Sequence, residues 1–393
     1  MIAVSIAVSH ELPRRDPAPA GTERLGSLDA FRGATIAAMI LVNNAGDWDR
    51  TYAPLLHAEW HGWTPTDLVF PFFLFALGVA IPYAFAGRLE RSGGDRGPLH
   101  GQIVRRTAIL FALGLFLNWF PFYTVDWPTA RIPGVLQRIA AVYLVAALAW
   151  LHLGARARAA LALALLAAYW LAMMLMPVPG HGAGDLSPDG NLAAWVDHAV
   201  LGPHTWKKAP GPGDPEGILS TVPAVATALL GLLAGDWLRS PRTRREKLRG
   251  LLLWGGAATA AGLALGRWFP INKNLWTSSY VVLTGGMALL LLAATYFLVD
   301  IKGRAAWVRP FSHFGTNAIV AFFGSTLMAK IAYLIRWPAA GGETVTLQAW
   351  LYRHLFASWL PDYVSSLAWA LLFVAFWWGV TALLYRRRIF LRI

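Results

Sequence analysis

Long uninterrupted apolar runs constrain this chain more than any other feature of its sequence. Several runs, such as those over residues 65–86 and 279–300, are long enough for a helix that crosses the roughly 30 Å hydrocarbon core of a bilayer. The composition agrees, because charged residues make up only 14% of the chain, whereas soluble domains contain about 25%. The sequence therefore predicts an all-α integral membrane protein.

The net charge of +13 raises the question of a nucleic-acid partner. In polytopic membrane proteins, however, Lys and Arg collect in cytoplasmic loops. If the N-terminus is cytoplasmic, most of the 34 basic residues fall on the inner side. The outer loops then hold only Arg50, Lys207, Lys208, Arg267, Lys273, Arg336 and Arg353. The charge therefore indicates topology, with both termini in the cytoplasm, and no nucleic-acid partner is expected.

Several common catalytic motifs are missing from the sequence. The chain has no cysteine, which excludes disulfides, thiolate metal sites and an acyl-cysteine intermediate. Glycine loops of the Walker or dinucleotide type are not present either, nor are the Gly-x-Ser-x-Gly and zinc-protease patterns. Any catalysis must therefore rest on other polar groups.

The apolar pattern predicts a polytopic bundle of about ten transmembrane helices in one domain over residues 26–393, after a flexible cytoplasmic tail over residues 1–25. The predicted spans are 28–46, 65–86, 103–122, 132–152, 157–176, 218–238, 249–268, 279–300, 312–334 and 364–385. An outer loop over residues 177–217 is rich in Pro and Gly, with a short helix near residues 192–200. It could cover a site or simply connect two spans. Residues 346–360 are expected to form an interfacial helix.

The first predicted span has polar residues at both ends. Asp29 and Arg32 lie at its start and Asn43 lies near its end. Arg32 and Asn43 are three turns apart on one face, a separation of about 16 Å along the axis. Charged groups within a span are costly and mark a functional site by default. Alternatively, the Asp–Arg pair fastens helix ends and the amide bonds a neighbouring helix.

The loop that follows contains His57 and His61, and Asp67 begins the second predicted span. An imidazole can act as a base or nucleophile near neutral pH. A metal site would need further ligands, for which only Glu59 and Asp67 are nearby, and none is expected. The sequence Thr-Pro-Thr-Asp is first of all typical of a helix start. Asp67 could also orient one of the histidines.

Further polar residues occur inside later spans. Gln137 and Arg138 follow Arg131 in the fourth predicted span. Arg138 is too deep to reach the interface easily, so we expect it to point into the bundle and meet an anion or carbonyl groups. Asn317, in the ninth span, also suits a hydrogen bond between helices.

Five segments together resemble the heparan-α-glucosaminide N-acetyltransferase family, in its bacterial branch of transmembrane acyltransferases. They are RLGSLDAFRG (24–33), MILVNN (39–44), LLHAEWHGWTPTDLVFPFFLF (55–75), RIPGVLQRIA (131–140) and GTNAI (315–319). The resemblance spreads over most of the chain. The lysosomal member of the family has a different polar residue where this chain has His61.

The resemblance implies an enzyme of the cell (inner) membrane that uses acetyl-CoA from the cytoplasm, without a metal. The acetyl group would pass to a glucosamine-type sugar or glycan on the outer side. The family's catalytic residues fall on His57 and Asn43, and Asp67 and His61 are supporting candidates. The cofactor candidates are Asp29, Arg32, Gln137, Arg138 and Asn317. Among them, Arg32 and Arg138 are expected together at the cytoplasmic mouth, with Arg105 and Arg106 behind them.

Two alternative functions stay open at this point. A secondary transporter or lipid-linked glycan flippase would also place charges inside the membrane. An O-acetyltransferase of a cell-envelope polysaccharide would keep the chemistry and change the acceptor. The lipid bilayer is the expected surrounding, and a homodimer is possible.

Overall fold

The computed structural model describes residues 25–339 and 343–391. The predicted tail lies outside these ranges, apart from its last residue. The helices within them are α1 Gly26–Val42, α2 Val69–Arg91, α3 Gly97–Trp119, α4 Val135–His152, α5 Ala155–Leu175, α6 Leu192–Leu201, α7 Ile218–Arg239, α8 Arg244–Leu265, α9 Ser278–Tyr296, α10 Ala305–Thr316, α11 Ala318–Leu334, α12 Leu347–Tyr352 and α13 Asp362–Arg386. The described part of the chain is therefore mostly helical, as predicted.

Strands are few in the same ranges. The antiparallel pair β1 (Pro177–Val178) and β2 (Gly182–Ala183) lies in the loop over residues 177–217. A second antiparallel pair, β3 (Arg336–Pro338) and β4 (Thr344–Thr346), follows α11. The short helix expected near residues 192–200 is α6. Residues 347–357 form α12 and a π-helical turn within the expected interfacial segment.

Among the described residues, seven helices are long and apolar enough to cross a membrane: α2 with the turn before it, α4, α5, α7, α8, α9 and α13. The bent pair of α10 and α11 could add an eighth. The predicted number of ten is therefore not confirmed. Of the other predicted spans, α1 has only 17 residues, and α3 includes the charged pair Arg105 and Arg106.

The predicted span over residues 312–334 is wrong as a single helix. It breaks at Asn317, whose backbone is not helical (φ −125°, ψ 41°), and the two helices meet at an angle of 82°. The Asn317 side chain is buried, and both its amide nitrogen and its amide oxygen form hydrogen bonds. Its amide nitrogen donates to the carbonyl of Ile389 at 3.2 Å, and its oxygen accepts from the backbone nitrogen of Leu391 at 3.1 Å. Asn317 thus holds the C-terminal segment against the break.

Glycines allow the central helices to approach closely. A Cβ at Gly33 in α1 would collide with the carbonyl of Phe311 in α10, and one at Gly315 would collide with the carbonyl of Asp29. In α7, Gly231 similarly lies against the backbone of Phe75 in α2. Small residues at helix contacts are characteristic of membrane bundles, where close backbone packing contributes to association.

Opposite ends of α9 define the two ends of the bundle. Near its first residue, the hydroxyl of Tyr280 donates to the carbonyl of Asp67 at 2.5 Å. Beyond its last turn, Asp300 accepts hydrogen bonds from the backbone nitrogen of Ser27 at 3.2 Å and from Nη1 of Arg244 at 2.8 Å. We call these the His57 end and the Asp300 end. The helical segment Ser278–Ile301, with 24 residues, separates them by about 36 Å.

Candidate functional site

The loop between α1 and α2 is held in place by two threonines. Thr64 Oγ1 donates to the carbonyl of Leu56 at 2.6 Å, and Thr66 Oγ1 donates to the carbonyl of Pro54 at 3.1 Å. The second threonine lies in a short 3-10 helix, Pro65–Leu68, that leads directly into α2. These hydrogen bonds fix both sides of the segment that contains His57.

Asp67 caps this helix start and also binds His57. Its Oδ2 accepts from the backbone nitrogens of Thr64 at 2.9 Å and Ala58 at 3.1 Å. The bond from Thr64 is part of a capping box at the helix start that the sequence predicted. Its Oδ1 lies 2.6 Å from Nδ1 of His57. The carboxylate is almost fully buried, with 1% of its side chain exposed. One side chain therefore performs both roles considered for Asp67.

The contact with Asp67 determines which nitrogen of His57 is available. An ionised carboxylate only accepts hydrogen bonds, so Nδ1 carries the proton that points at Asp67. Nε2 then presents a lone pair on the other side of the ring. Because 47% of the His57 side chain is exposed, this lone pair is accessible. The arrangement can accept a proton or act as a nucleophile.

Lys273 approaches the accessible nitrogen of His57. Its Nζ lies 3.3 Å from Nε2, and it comes from the connection between α8 and α9. Burial lowers the pKa of Lys273, against the carboxylates of Glu216 and Asp67, which raise it. From the sequence, Lys273 is expected only as one of the basic residues of the outer loops. Its position between Asn272 and Asn274, just before a span, is the one local signal that could have singled it out.

His61 contacts the same connection and not the His57–Asp67 pair. Nδ2 of Asn272 donates to Nδ1 of His61 at 3.3 Å, and the backbone nitrogen of Gly62 donates to the carbonyl of Ile271 at 2.7 Å. Burial lowers the pKa of His61. This histidine therefore helps to hold the loop against the α8–α9 connection. Among the described residues, no group of three or more His, Asp or Glu side chains could hold a metal ion.

Asn43 follows the last residue of α1, at the His57 end. Its side chain is exposed, whereas the neighbouring Asn44 is buried and donates to the carbonyl of Ile40 at 2.7 Å. α1 contacts the short helix Pro65–Leu68 that includes Asp67. The predicted catalytic residues Asn43 and His57 are thus both at this end of the bundle.

Arg138 also lies at the His57 end. Its Nη2 donates to Oγ of Ser220 at 2.5 Å and to the carbonyl of Gly217 at 3.3 Å, and its guanidinium lies 5.0 Å from the centre of the Trp276 ring. The expectation that it points inward and meets a carbonyl is confirmed. Its predicted placement beside Arg32 at the cytoplasmic mouth is wrong. Trp276 lies two residues before Ser278, the first residue of α9, and therefore belongs to the end of the bundle opposite Arg32.

Asp29 and Arg32 lie in the first turns of α1, near the Asp300 end. Ser27, in the same first turn, donates to Asp300. Both Asp29 and Arg32 are partly buried and have interactions with other groups. A cofactor that reached from them to His57 would have to extend along much of α1.

The remaining cofactor candidates have structural contacts. Gln137 is buried, with its amide against Gly114 and its Nε2 donating to the carbonyl of Ile132 at 2.8 Å. Asn317 binds the C-terminal segment, as described above. The assignment of Gln137 and Asn317 to cofactor binding stays a prediction.

The loop over residues 177–217 is fastened to the segment before α4 and to the start of α7 by charge pairs and hydrogen bonds. Nη2 of Arg131 lies 2.6 Å from carboxylate oxygens of both Asp214 and Glu216. In α6, the carboxylate of Asp197 accepts from the backbone nitrogens of Asp214 at 3.1 Å and Ile218 at 2.8 Å. Burial raises the pKa of Asp197 to about 6. The loop also contacts the segment that contains His57, since Nε1 of Trp60 donates to the carbonyl of Leu186 at 2.8 Å.

Comparison with known proteins gives a consistent relationship. Residues 24–269 match the family model described as heparan-alpha-glucosaminide N-acetyltransferase, catalytic. The chain is 29% identical to the human heparan-alpha-glucosaminide N-acetyltransferase and 28% identical to the mouse protein, in each case over 94% of this chain and 60% of the relative. It thus spans about three-fifths of the length of these curated relatives. The matched segment covers more than half of the sequence and includes the His57 site, so the chain belongs to the heparan-α-glucosaminide N-acetyltransferase family.

Proposed function

We propose that this chain transfers an acetyl group from cytoplasmic acetyl-CoA to the amino group of a glucosamine-type sugar or glycan on the outer side of the cell (inner) membrane. The observation that carries the proposal is the 2.6 Å contact between His57 and Asp67 in a member of an acetyltransferase family. It leaves one accessible imidazole nitrogen, which is the group that proton removal from an amine requires.

In the proposed reaction, the acceptor amine attacks the carbonyl carbon of the thioester. A C–N bond forms, the C–S bond breaks and CoA leaves as the thiolate. His57 takes the proton that the amine loses, and Asp67 stabilises the resulting imidazolium through Nδ1. A route in which His57 is itself acetylated first would use the same accessible Nε2.

Asn43 is the proposed donor to the oxyanion. Its exposed amide follows α1 at the His57 end and can donate hydrogen bonds. A donor of this kind stabilises the negative charge that develops on the thioester oxygen. Asn43 and His57 would then act on the same carbonyl group.

The nucleotide of CoA is proposed to bind at the Asp300 end. Arg32 supplies a cation there, with Arg105 and Arg106 as further basic groups. The face of α1 between Arg32 and Asn43 spans about 16 Å, which is of the right order for the pantetheine arm. Arg138 is not retained at this end, since it lies beside Trp276.

Acetyl transfer by the purified protein tests the proposal. Labelled acetyl-CoA is supplied with either glucosamine or a sugar that has only hydroxyl groups, and the products are treated with mild base to separate esters from amides. We expect a base-stable amide with glucosamine and no acetylated product with the sugar that has only hydroxyl groups. Transfer to the hydroxyl sugar would indicate an O-acetyltransferase. Transport of a glycan in liposomes without consumption of acetyl-CoA would replace the proposal by a transporter.

A further inference from the structure

Lys273 holds a fixed position beside the reactive nitrogen of His57. The connection that carries it is folded on itself. Oδ1 of Asn272 accepts from the backbone nitrogen of Leu275 at 2.9 Å, and the backbone nitrogen of Asn272 donates to Oγ1 of Thr277 at 3.1 Å. The 3.3 Å contact between Nζ and Nε2 therefore joins two ordered segments and is not a chance approach of a free surface lysine.

Charged groups from several elements surround this contact. Asp67, at the start of α2, binds the far side of the His57 ring at 2.6 Å. Asp67 and Glu216 act on Lys273 as anions, and Arg138 in α4 acts on it as a cation. Asp67 stabilises a protonated His57, whereas the ammonium of Lys273 opposes it. The ring of His57 thus lies between the carboxylate of Asp67 at Nδ1 and the Nζ of Lys273 at Nε2.

We propose that Lys273 is a positioning residue whose ammonium donates to Nε2 of His57 and keeps that nitrogen unprotonated until the acceptor enters. A neighbouring cation disfavours a second positive charge, and a hydrogen bond to the neutral imidazole favours the neutral form. Lys273 thereby prepares His57 as a base while Asp67 holds its orientation. As a role in acetyl transfer, this inference rests on the function proposed above.

The same cation would act on the acceptor. A protonated amino sugar has no lone pair with which to attack the thioester. An amine that enters beside Nζ and Nε2 meets a positive charge, which lowers its pKa and favours the nucleophilic form. Lys273 is therefore expected to favour the neutral, nucleophilic form of an amine acceptor.

Labelling of His57 by diethyl pyrocarbonate tests the inference without any enzymatic assay. The reagent modifies only unprotonated imidazole, so the labelling rate reports the fraction of His57 that is unprotonated. The rate of modification of His57, followed by peptide mass spectrometry, is measured against pH in the full-length protein. We expect the midpoint for Lys273→Met to lie about one pH unit above that of the unsubstituted protein. Lys273→Arg, which restores the cation, should return the midpoint to within a few tenths of a unit.

Two more variants complete the labelling experiment. Lys273→Gln keeps a hydrogen-bond donor without the charge and covers the case in which methionine disturbs the fold. Lys208→Met removes an exposed cation from the outer loop and should leave the midpoint unchanged. Equal midpoints for the unsubstituted protein and folded Lys273→Gln would overturn the inference.

The acetylation assay supplies a second readout. For Lys273→Gln, the acidic limb of kcat/KM for glucosamine should move to higher pH, with little change in the KM for acetyl-CoA. If the unsubstituted protein transfers no acetyl group, the proposed function fails. The labelling result then still decides whether Lys273 controls the protonation of His57. If folded Lys273→Gln transfers acetyl groups at the normal rate and the acidic limb of its kcat/KM profile does not move, Lys273 has no such role. The proposed function would then still stand.

Discussion

The hydroxyl of Tyr280 donates a 2.5 Å hydrogen bond to the main-chain carbonyl of Asp67. Tyr280 is fully buried in the first turn of α9 and packs edge-on against Trp276 at 5.3 Å. The residue that holds His57 is therefore itself held by a rigid helix. Through this contact, the packing of the bundle determines the position of the proposed base.

Tyr280→Phe tests this support, because phenylalanine preserves the ring packing and removes only the hydroxyl group. The carbonyl of Asp67 would lose its donor, so we expect the free energy of unfolding to fall by about 1 kcal/mol. The kcat of acetyl transfer should fall severalfold, by up to about tenfold, with the KM for acetyl-CoA unchanged. Thermal unfolding and steady-state kinetics measure the two effects. An unchanged kcat would show that the hydroxyl does not position the site.

Asp67→Asn tests the orientation of His57. Asparagine has one acceptor oxygen in place of two, so either Nδ1 of His57 or the capping nitrogens lose a partner. We expect kcat to fall about 100-fold or more, as for the loss of an effective general base. Asp185→Asn is a matched control, since Asp185 pairs with His181 at 3.3 Å in the loop over residues 177–217. Equal effects of the two substitutions would contradict the role of Asp67.

Gly33→Ala tests the close crossing of α1 and α10. The added methyl group would collide with the carbonyl of Phe311, and overpacking of this kind costs about 1–3 kcal/mol. Gly101→Ala provides the control, because no atom lies within 4 Å of a Cβ at that helical position. Thermal unfolding should show a lower midpoint for the first variant and an equal or higher midpoint for the second. An unchanged thermal midpoint for Gly33→Ala would mean that α1 and α10 can move apart at little cost in free energy.

Asp197 predicts a pH dependence of stability. Burial raises its pKa from 3.8 to about 6, so between these values the folded protein holds a proton that the unfolded chain has released. The contribution of Asp197 to the free energy of unfolding therefore falls as pH rises through this window. Asp197→Asn removes the titration. We therefore compare the thermal unfolding midpoints of the unsubstituted protein and Asp197→Asn between pH 3.8 and about 6. The advantage of the unsubstituted protein should decline as the pH rises. A constant difference would contradict the raised pKa.

Much of the helical framework could be predicted from the sequence because a bilayer demands long apolar segments. The inward direction of Arg138 and the capping role of Asp67 also follow from local rules. The break at Asn317 does not, since the contacts that occupy its side chain come from Ile389 and Leu391, near the other end of the chain. The apolar pattern likewise cannot show that a helix bends by 82° inside one hydrophobic run.

The candidate site was only partly predictable for a similar reason. His57 and Asp67 are close in sequence, so their pairing could be considered from spacing alone. Lys273 is 216 positions away from His57, and no local periodicity connects the two. Only long-range packing brings these two side chains together. The position of Arg138 could have been predicted, because Arg138 lies near the beginning of α4 and the fourth of the alternating predicted spans begins on the same side of the membrane as the loop that contains His57.

The most direct test of the account compares two histidines of one loop. Labelled acetyl-CoA and glucosamine are supplied to purified His57→Ala and His61→Ala, with binding of CoA measured separately to show that each variant is folded. We expect His57→Ala to bind CoA and transfer no detectable acetyl group, because no base faces the acceptor. His61→Ala should retain most of the activity. Full acetyl transfer by folded His57→Ala would contradict the central claim.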